Sequence, residues 1–165
     1  MKRSLKTLIV AAIGSVAVIT MGAVTPNSTI NPQTPDVQVQ NFVQGTDSAL
    51  TYKTVFTPGA NGSRLYAIFE SNNDGSATHL VSCEIYVGSV AYVFTATTTA
   101  FNDGFANATP AKNLLTTATM PGLKVDSSGN SYLELSSSSD VIKCTFATAL
   151  TSSTLINLIA VGADY

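Results

Sequence analysis

One histidine, His79, is the only ordinary candidate for a catalytic base in this chain. Hydrolysis by an activated nucleophile needs such a base and a third group that orients it. His79 opens an alternating run shortly after the turn sequence Asn73-Asp74-Gly75, so we interpret it as a strand-end residue that hydrogen-bonds a loop. Transition metals need several His or Cys ligands at short spacing, and Asn72, Asn73 and Asp74 are too few oxygen ligands for calcium. We therefore predict no metal and no cofactor.

Three glutamates, Glu70, Glu84 and Glu134, could supply the carboxylate pair that glycoside hydrolysis requires. Each lies in an alternating run on the side opposite to the apolar residues, where a solvated surface carboxylate is the expected role. The glycines stand singly in turns, and no glycine-rich phosphate-binding pattern occurs. These residues predict that the protein is not an enzyme and that it acts by binding.

The two cysteines are expected to point into the core. In the runs 81–85 and 142–146, Cys83 and Cys144 share a strand face with apolar neighbours, because alternate residues of a strand point the same way. A disulfide between them would contribute roughly 4 kcal/mol in the chain-entropy model, and export would permit it. Two separate buried thiols are the alternative that we favour, because free cysteine is among the most buried residue types.

Charged residues make up only 11% of the chain, well under the ~25% of an average globular protein. The surface must therefore consist largely of Ser, Thr, Asn, Gln and Gly, which suits contact with other proteins because little charge has to be desolvated. Beyond residue 22, five basic residues face ten acidic ones, a net charge of −5. An acidic body without a basic stripe argues against a nucleic-acid partner.

Residues 1–23 form an apolar leader with a basic start at Lys2, Arg3 and Lys6. This layout is typical of a secretory signal peptide. Two other interpretations stay open. The leader is either a membrane anchor, although its uncharged run barely reaches the ~20 residues needed to span a bilayer, or an upstream extension with the true start at Met21. A membrane partner is predicted only through this leader, if it is retained.

Residues 24–36 form an extended arm, because the residue before each proline is pushed toward extended geometry. Beyond it, residues 37–165 show short apolar or alternating runs separated by turn signals, the pattern of a sandwich or barrel. The predicted fold is an all-β, two-sheet β-sandwich, with a jelly roll as one candidate topology. The predicted strands are 37–43, 50–56, 65–70, 79–87, 90–98, 132–135, 141–147 and 154–161, with one helical turn at 111–115.

Several segments resemble a known group of phage proteins. They are 25–35 (TPNSTINPQTP), 52–63 (YKTVFTPGANGS), 73–79 (NDGSATH), 122–126 (GLKVD) and 145–151 (TFATALT). Over residues 24–165 the chain is similar to small head decoration, or cement, proteins encoded near the major capsid gene of tailed bacteriophages and prophages. The resemblance implies a β-rich virion structural protein that binds the major capsid protein and decorates or cements the outer surface of an icosahedral head. A homo-oligomer such as a trimer is a further candidate partner.

The arm is predicted to be the main attachment element. Between residues 22 and 40 it carries no Lys, Arg or Glu, unlike ordinary disordered tails, which are rich in charge. Extended chains bind by adding a strand to a sheet edge or by lying in a groove, with side chains in pockets. The residues predicted to make these contacts are Val24, Pro26, Ile30, Pro32, Pro35, Val37 and Val39. The alternative for the arm is packing across its own sandwich or a neighbouring subunit.

A second function stays open from the sequence. The leader favours an exported β-sandwich that is secreted or held at the cell surface and binds a carbohydrate or a protein. The predicted location is therefore the virion surface, with the cell surface or the extracellular space as the alternative.

Overall fold

The regular structure is entirely β in the computed structural model, which describes residues 32, 34–105 and 109–165. The leader and the arm residues Val24, Pro26 and Ile30 lie outside these residues, while Pro32 is described and half-buried. Among the described residues no helix is long and apolar enough to cross a membrane. The strands are β1 Thr34–Val43, β2 Lys53–Phe56, β3 Ser63–Asn72, β4 His79–Val87, β5 Val90–Thr99, β6 Lys112–Asn113, β7 Lys124–Val125, β8 Ser131–Leu135, β9 Ile142–Phe146 and β10 Leu155–Asp164.

The strands form two antiparallel sheets that pack as a sandwich. One has the order β1-β10-β3-β8-β7, with β6 paired to β3, and the other has the order β2-β9-β4-β5. Apart from the two-residue strands, the partners are nested from the chain ends inward: β1 with β10, β2 with β9, β3 with β8 and β4 with β5. Such nested pairing, divided between two sheets, is the topology of a jelly roll. The predicted all-β sandwich is confirmed.

The core lies between the sheets and is built from the inward side chains of both. Along β10 the residues Ile156, Leu158 and Ala160 are fully buried, because every second side chain of a strand points to the same face. Phe42 of β1 and Phe146 of β9 belong to different sheets, and their ring centroids lie 5.0 Å apart in an edge-to-face arrangement. This contact ties β1 to the opposite sheet, so β1 is an integral part of the sandwich.

Three expected elements differ in the structure. β1 begins at Thr34, so residues 34–36, expected in the arm, pair with the end of β10. The second strand begins at Lys53 because Leu50 takes a left-handed turn conformation with a φ of 64°. The helical turn predicted at 111–115 is wrong. That segment contains β6, and the N–H of Leu114 donates to the Ile68 carbonyl oxygen at 2.8 Å, which extends the pairing along β3.

The edge of β2 is covered by side chains from β1. Gln38 donates its Nε2 to the Thr57 carbonyl oxygen at 2.7 Å, and its Oε1 accepts from the Thr57 N–H at 2.9 Å. Gln40 donates to the Thr54 carbonyl oxygen at 3.2 Å. These hydrogen bonds occupy backbone groups that an uncovered edge strand would offer to another chain. The sandwich is therefore closed along this side.

Candidate interaction surface

His79 begins β4 and is completely buried, with its ring held between two acceptors. Its Nδ1 lies 3.1 Å from the Thr148 carbonyl oxygen, and its Nε2 lies 3.0 Å from Oδ2 of Asp74. Each ring nitrogen therefore faces an acceptor atom, and these two contacts hold the ring in one orientation. The predicted strand-end residue bonded to a loop is confirmed. With no exposed surface, the ring has no access to a substrate.

Asp74 is the centre of this buried network. Its Oδ1 accepts from the N–H groups of Ser76 and Ala77, and its Oδ2 accepts from the N–H of Thr151 and from His79. Burial alone would raise the pKa of Asp74, but these hydrogen bonds hold it well below its usual range. The carboxylate therefore joins the loop before β4 to the loop before β10. Within the described residues, no cluster of three or more His, Cys, Asp or Glu side chains is placed to hold a metal ion.

Glu70 contradicts the expectation of a solvated carboxylate, since its side chain is fully buried. The hydroxyl of Thr99, on β5 of the opposite sheet, donates to its Oε1, while its Oε2 has no partner among the described residues. Burial raises the pKa of Glu70 to about 7, although the Thr99 hydrogen bond and the charge of Lys112 act in the other direction. Glu70 and Thr99 therefore form a polar link between the two sheets.

A bulge explains why simple alternation put Glu70 on the wrong face. On β10, Val161 pairs with Ala67 but the next residue, Gly162, pairs with Leu65. Tyr66 is therefore an extra residue on β3, and the inward and outward positions exchange there. Leu65 before the bulge is buried, and Ile68 and Glu70 after it are buried as well.

The other two glutamates are partly exposed and bonded to tyrosines. The Tyr52 hydroxyl donates to Glu84 at 2.6 Å, and this hydrogen bond raises the pKa of Tyr52 to about 12. The Tyr165 hydroxyl donates to Glu134 at 2.6 Å, and Lys124 pairs with the same carboxylate at 2.8 Å. The contacts with Lys124 and Tyr165 lower the pKa of Glu134. Both carboxylates thus serve as acceptors in structural contacts.

Cys83 and Cys144 are fully buried, as the alternation predicts, and stand directly opposite each other on β4 and β9. Their sulfur atoms are bonded in the structure, with Cα atoms 4.1 Å apart. The two separate thiols that we favoured are therefore not what the structure contains. The pairing register of β4 with β9 brings the two residues together, and one sequence does not reveal that register. The state of this bond in protein from its native source stays a prediction.

The arm residues Pro35, Val37 and Val39 lie on the outward face of β1, and Val37 and Val39 are 59% and 62% exposed. Val39 stands opposite Ile159, which in turn stands opposite Phe69. Directly opposed residues share a face, so these side chains form an exposed apolar row across three strands. We call this surface, made of Pro35, Val37, Val39, Ile159 and Phe69, the β1 face. Pro35, Val37 and Val39 are thus placed in a sheet instead of a free segment.

A second apolar surface lies at the end of the β4–β5 hairpin, and we call residues 85–94 the hairpin tip. Val87 and Val90 flank the two-residue turn and are 50% and 53% exposed. Tyr92 is 55% exposed on the same face as these valines, and Val93, which stands opposite Glu84, is 62% exposed on the other face. Soluble monomers rarely expose several large apolar side chains side by side, and such patches mark interaction sites.

The hairpin tip continues the core-facing stripe of β4 into solvent. Cys83 is fully buried, Ile85 is half-buried and Val87 is half-exposed, although all three point to the same face. Tyr92 stands opposite Ile85, and Val90 opposite Val87, so both belong to this stripe. Within the described residues no further strand pairs with the outer edge of β5. The tip therefore offers apolar side chains together with an open strand edge.

Our sequence reasoning missed the hairpin tip, although a signal was present. Residues 85–102 are 18 consecutive positions without a charged side chain. Natural edge strands are usually protected by lysine, proline or another charge. The sequence of β5 has none of these, and the Lys112 side chain of β6 reaches only the end of β5 far from the tip, where it donates to the Thr98 carbonyl oxygen at 3.0 Å. The long uncharged stretch was therefore the sequence signal for an exposed apolar hairpin with an unprotected strand edge.

No protein-family model matches this chain, and no curated protein is similar to it at a significant level. Among solved structures, the fold is similar to a chain of the cyanophage Pam1 capsid asymmetric unit, with a TM-score of 0.43 and 11% sequence identity. The match covers 85% of this chain and 91% of that chain. The protein thus resembles a chain from a phage capsid structure, and a similarity of this size does not by itself assign a function.

Proposed function

We propose that the protein is a virion structural protein that binds the major capsid protein and decorates or cements the outer surface of an icosahedral phage capsid. The sequence resemblance over residues 24–165 supports this role. The observation that carries the proposal is the hairpin tip, because an uncharged strand edge with exposed apolar side chains needs a protein surface to cover it.

The chemistry of the tip defines the capsid surface that would receive it. Val87, Val90 and Tyr92 form an uncharged face of the tip, so the surface that receives this face is apolar and neutral, with backbone groups available to pair with β5. Glu84 and Lys143 lie on the opposite face, where Lys143 Nζ is 4.1 Å from the Tyr86 ring centroid. Tyr92 is the anchor that we expect to contribute most, since tyrosine is enriched among the residues that dominate binding energy. Because no ion pair is involved, binding should be nearly independent of salt.

Co-sedimentation with undecorated heads tests this proposal. We expect Tyr92→Ala and Val93→Lys to weaken binding by about tenfold or more each, whereas high salt leaves wild-type binding unchanged. Val125→Lys is the matched control, because Val125 on β7 is a valine of similar exposure, 59%, outside the hairpin. Equal binding by wild type and both tip variants would contradict the proposal.

The arm is the second contact in this proposal, through Val24, Pro26, Ile30 and Pro32 before β1 and through the β1 face itself. A chain lacking residues 1–33 keeps all of β1 and separates the two contributions in the same assay. We expect it to fold and to bind heads more weakly than the full chain. Equal binding would show that the hairpin tip suffices and that the arm packs elsewhere.

An exported β-sandwich, secreted or held at the cell surface, is the second candidate function. The basic and apolar leader favours it, and a Cys83–Cys144 disulfide is compatible with an oxidising compartment. The intact mass of the protein from its native source distinguishes the candidates. Cleavage after residue 22 or 23 supports export, a start at Met21 supports the capsid role, and an intact leader supports an anchor or arm.

A further inference from the structure

An open groove lies beside the β1 face and is not used by the proposed capsid contacts. Its volume is about 650 Å³, within the range of small-molecule sites in proteins. Tyr66 of β3 and Val161 of β10 line it from the six-stranded sheet. The remaining lining comes from Asn113 of β6 with residues 115–117 after it, and from Asp126 and residues 129–131 at the turn between β7 and β8.

Asn113 offers hydrogen-bond donors to this groove. Its Oδ1 accepts from the N–H of Ile68 at 3.2 Å and from the N–H of Leu115 at 3.0 Å. Two backbone donors require the oxygen at this position, so the orientation of the amide is determined by its surroundings. The NH₂ group makes no hydrogen bond to a described residue and remains available.

The turn between β7 and β8 offers acceptors. The Asp126 carboxylate accepts from the backbone N–H groups of Asn130 and Ser128 and from the Nδ2 of Asn130. These hydrogen bonds, the Asn130 backbone bond first, lower the pKa of Asp126. Because Nδ2 of Asn130 is used as a donor, its Oδ1 is the free end of the amide. The hydroxyls of Ser131 and Thr117 also line the groove, and each can donate or accept.

We propose that this groove binds a neutral carbohydrate. A sugar presents hydroxyl groups that both donate and accept, and Asn113, Asn130 and the two hydroxyls supply both partners. The Tyr66 ring offers an apolar surface for the C–H face of a sugar, and it is held beside Tyr132 at a centroid distance of 6.1 Å. Of the described residues that line the groove, only Asp126 carries a charge. The Arg64 guanidinium lies over the neighbouring Tyr132 ring, 4.6 Å from its centroid. Because the charge at the groove itself is negative, we expect an anionic sugar to bind more weakly than a neutral one.

This inference stands apart from the capsid proposal, because the groove and the hairpin tip have no residue in common. Failure of head binding therefore leaves the groove proposal intact, and failure of sugar binding leaves the capsid proposal intact. The two are measured on the same full-length protein in separate experiments.

The test is an NMR titration of the full-length ¹⁵N-labelled protein with maltotriose, cellotriose, laminaritriose, chitotriose and mannotriose at millimolar concentration. We expect at least one of them to shift the side-chain NH₂ resonances of Asn113 and Asn130 and the backbone resonances of 126–131. Trigalacturonic acid should shift these resonances less. The proposal is overturned if no neutral trisaccharide shifts them, or if trigalacturonic acid shifts them equally.

Two variants assign any binding to this groove. Asn113→Asp keeps an oxygen acceptor for the N–H groups of Ile68 and Leu115 but removes the NH₂ donor, and Tyr66→Leu removes the aromatic ring. We expect each to weaken binding by about tenfold, the loss of one good contact. Asn61→Asp, in an exposed turn, is the control that should bind like wild type. If both groove variants also bind like wild type, with unchanged circular dichroism spectra, the proposal is wrong.

Discussion

At its base the β4–β5 hairpin is held by buried polar groups, whereas at its tip the same two strands expose apolar side chains to solvent. The base contains the His79–Asp74 pair and the hydrogen bond from Thr99 to Glu70, all fully buried. Between base and tip, the Cys83–Cys144 bond joins β4 to β9. Buried polar groups at the base and exposed apolar side chains at the tip are the reverse of the usual distribution of polar and apolar residues. Such inversions are expected at functional sites, where local stability is given up for another purpose.

The difference between the two ends indicates that the base of the hairpin stabilises the fold and that the tip is available for binding. Hydrogen bonds are directional, so the buried hydrogen bonds at the base fix the hairpin in one position on the sandwich. The exposed side chains of the tip contribute little to the stability of the fold. Because the hairpin that carries them is already ordered, the tip is preorganised and loses less conformational entropy on binding. Changes at the base should therefore alter stability, and changes at the tip should alter binding.

Removing the link in the middle of the hairpin should have the largest effect on stability. The cysteines are 61 residues apart, so Cys83→Ala combined with Cys144→Ala is expected to lower the free energy of unfolding by roughly 4 kcal/mol in the chain-entropy model. Denaturant titration measures this loss. Alkylation of the unreduced native protein, followed by mass spectrometry, should modify neither cysteine. Modification of both would contradict the bond and the burial together.

Breaking the hydrogen-bond network of Asp74 at the base should have the next largest effect. We expect Asp74→Asn to lower the free energy of unfolding by about 3 kcal/mol near neutral pH. An amide NH₂ would replace the carboxylate oxygen that accepts from the Thr151 N–H and lies 3.0 Å from Nε2 of His79, which leaves buried groups without an acceptor. The folded pKa of Asp74 lies below its ordinary value of 3.8. The contribution of its carboxylate is therefore present above pH 3.8 and is lost as the pH falls below it. The variant and wild type should thus approach each other in strong acid.

Val93→Lys at the tip is the control for this prediction. It should change the free energy of unfolding by no more than about 0.5 kcal/mol, as expected for an exposed position. A loss at Val93 as large as the loss at Asp74 would remove the distinction between base and tip.

Glu70→Gln should have a smaller effect, and of the opposite sign. The pKa of Glu70 is raised from 4.5 to about 7, so the folded protein holds a proton that the unfolded chain releases. Wild-type stability should therefore fall as the pH rises from about 4.5 to about 7. The full difference corresponds to roughly 3 kcal/mol. Glutamine avoids the cost of ionising a buried carboxyl, but its buried NH₂ group lacks an acceptor, which offsets part of the gain. We therefore expect the free energy of unfolding of the variant to exceed that of wild type by about 2 kcal/mol at pH 8.

Thermal and denaturant unfolding at pH 5 and pH 8 measure this effect. At pH 5 the Glu70 carboxyl of the folded wild type is protonated and therefore neutral, as the glutamine amide of the variant is. The variant should therefore show no gain in stability at this pH. An equal gain at both pH values would mean that packing, and not ionisation, distinguishes the two side chains.

The local pattern of the sequence was sufficient for the class of fold and for much of the hairpin. Strand β4 and the start of β5 lie where the alternation predicts them, and Cys83 and Cys144 point inward as predicted. These features depend on the two-residue period of a single strand and on turn residues such as Gly88, which takes a φ of 61°. Both are properties of neighbours along the chain.

Only the tertiary structure decided the features that depend on strand partners. The nested strand order, the register that pairs Cys83 with Cys144 and the bulge at Tyr66 that turns Glu70 inward all arise between segments far apart in sequence. A shift of one residue in such a pairing exchanges the two faces of a strand without changing its local pattern. The exposure of Val87 and Val90 also depends on segments that are distant in sequence, because it is determined by where the opposite sheet ends.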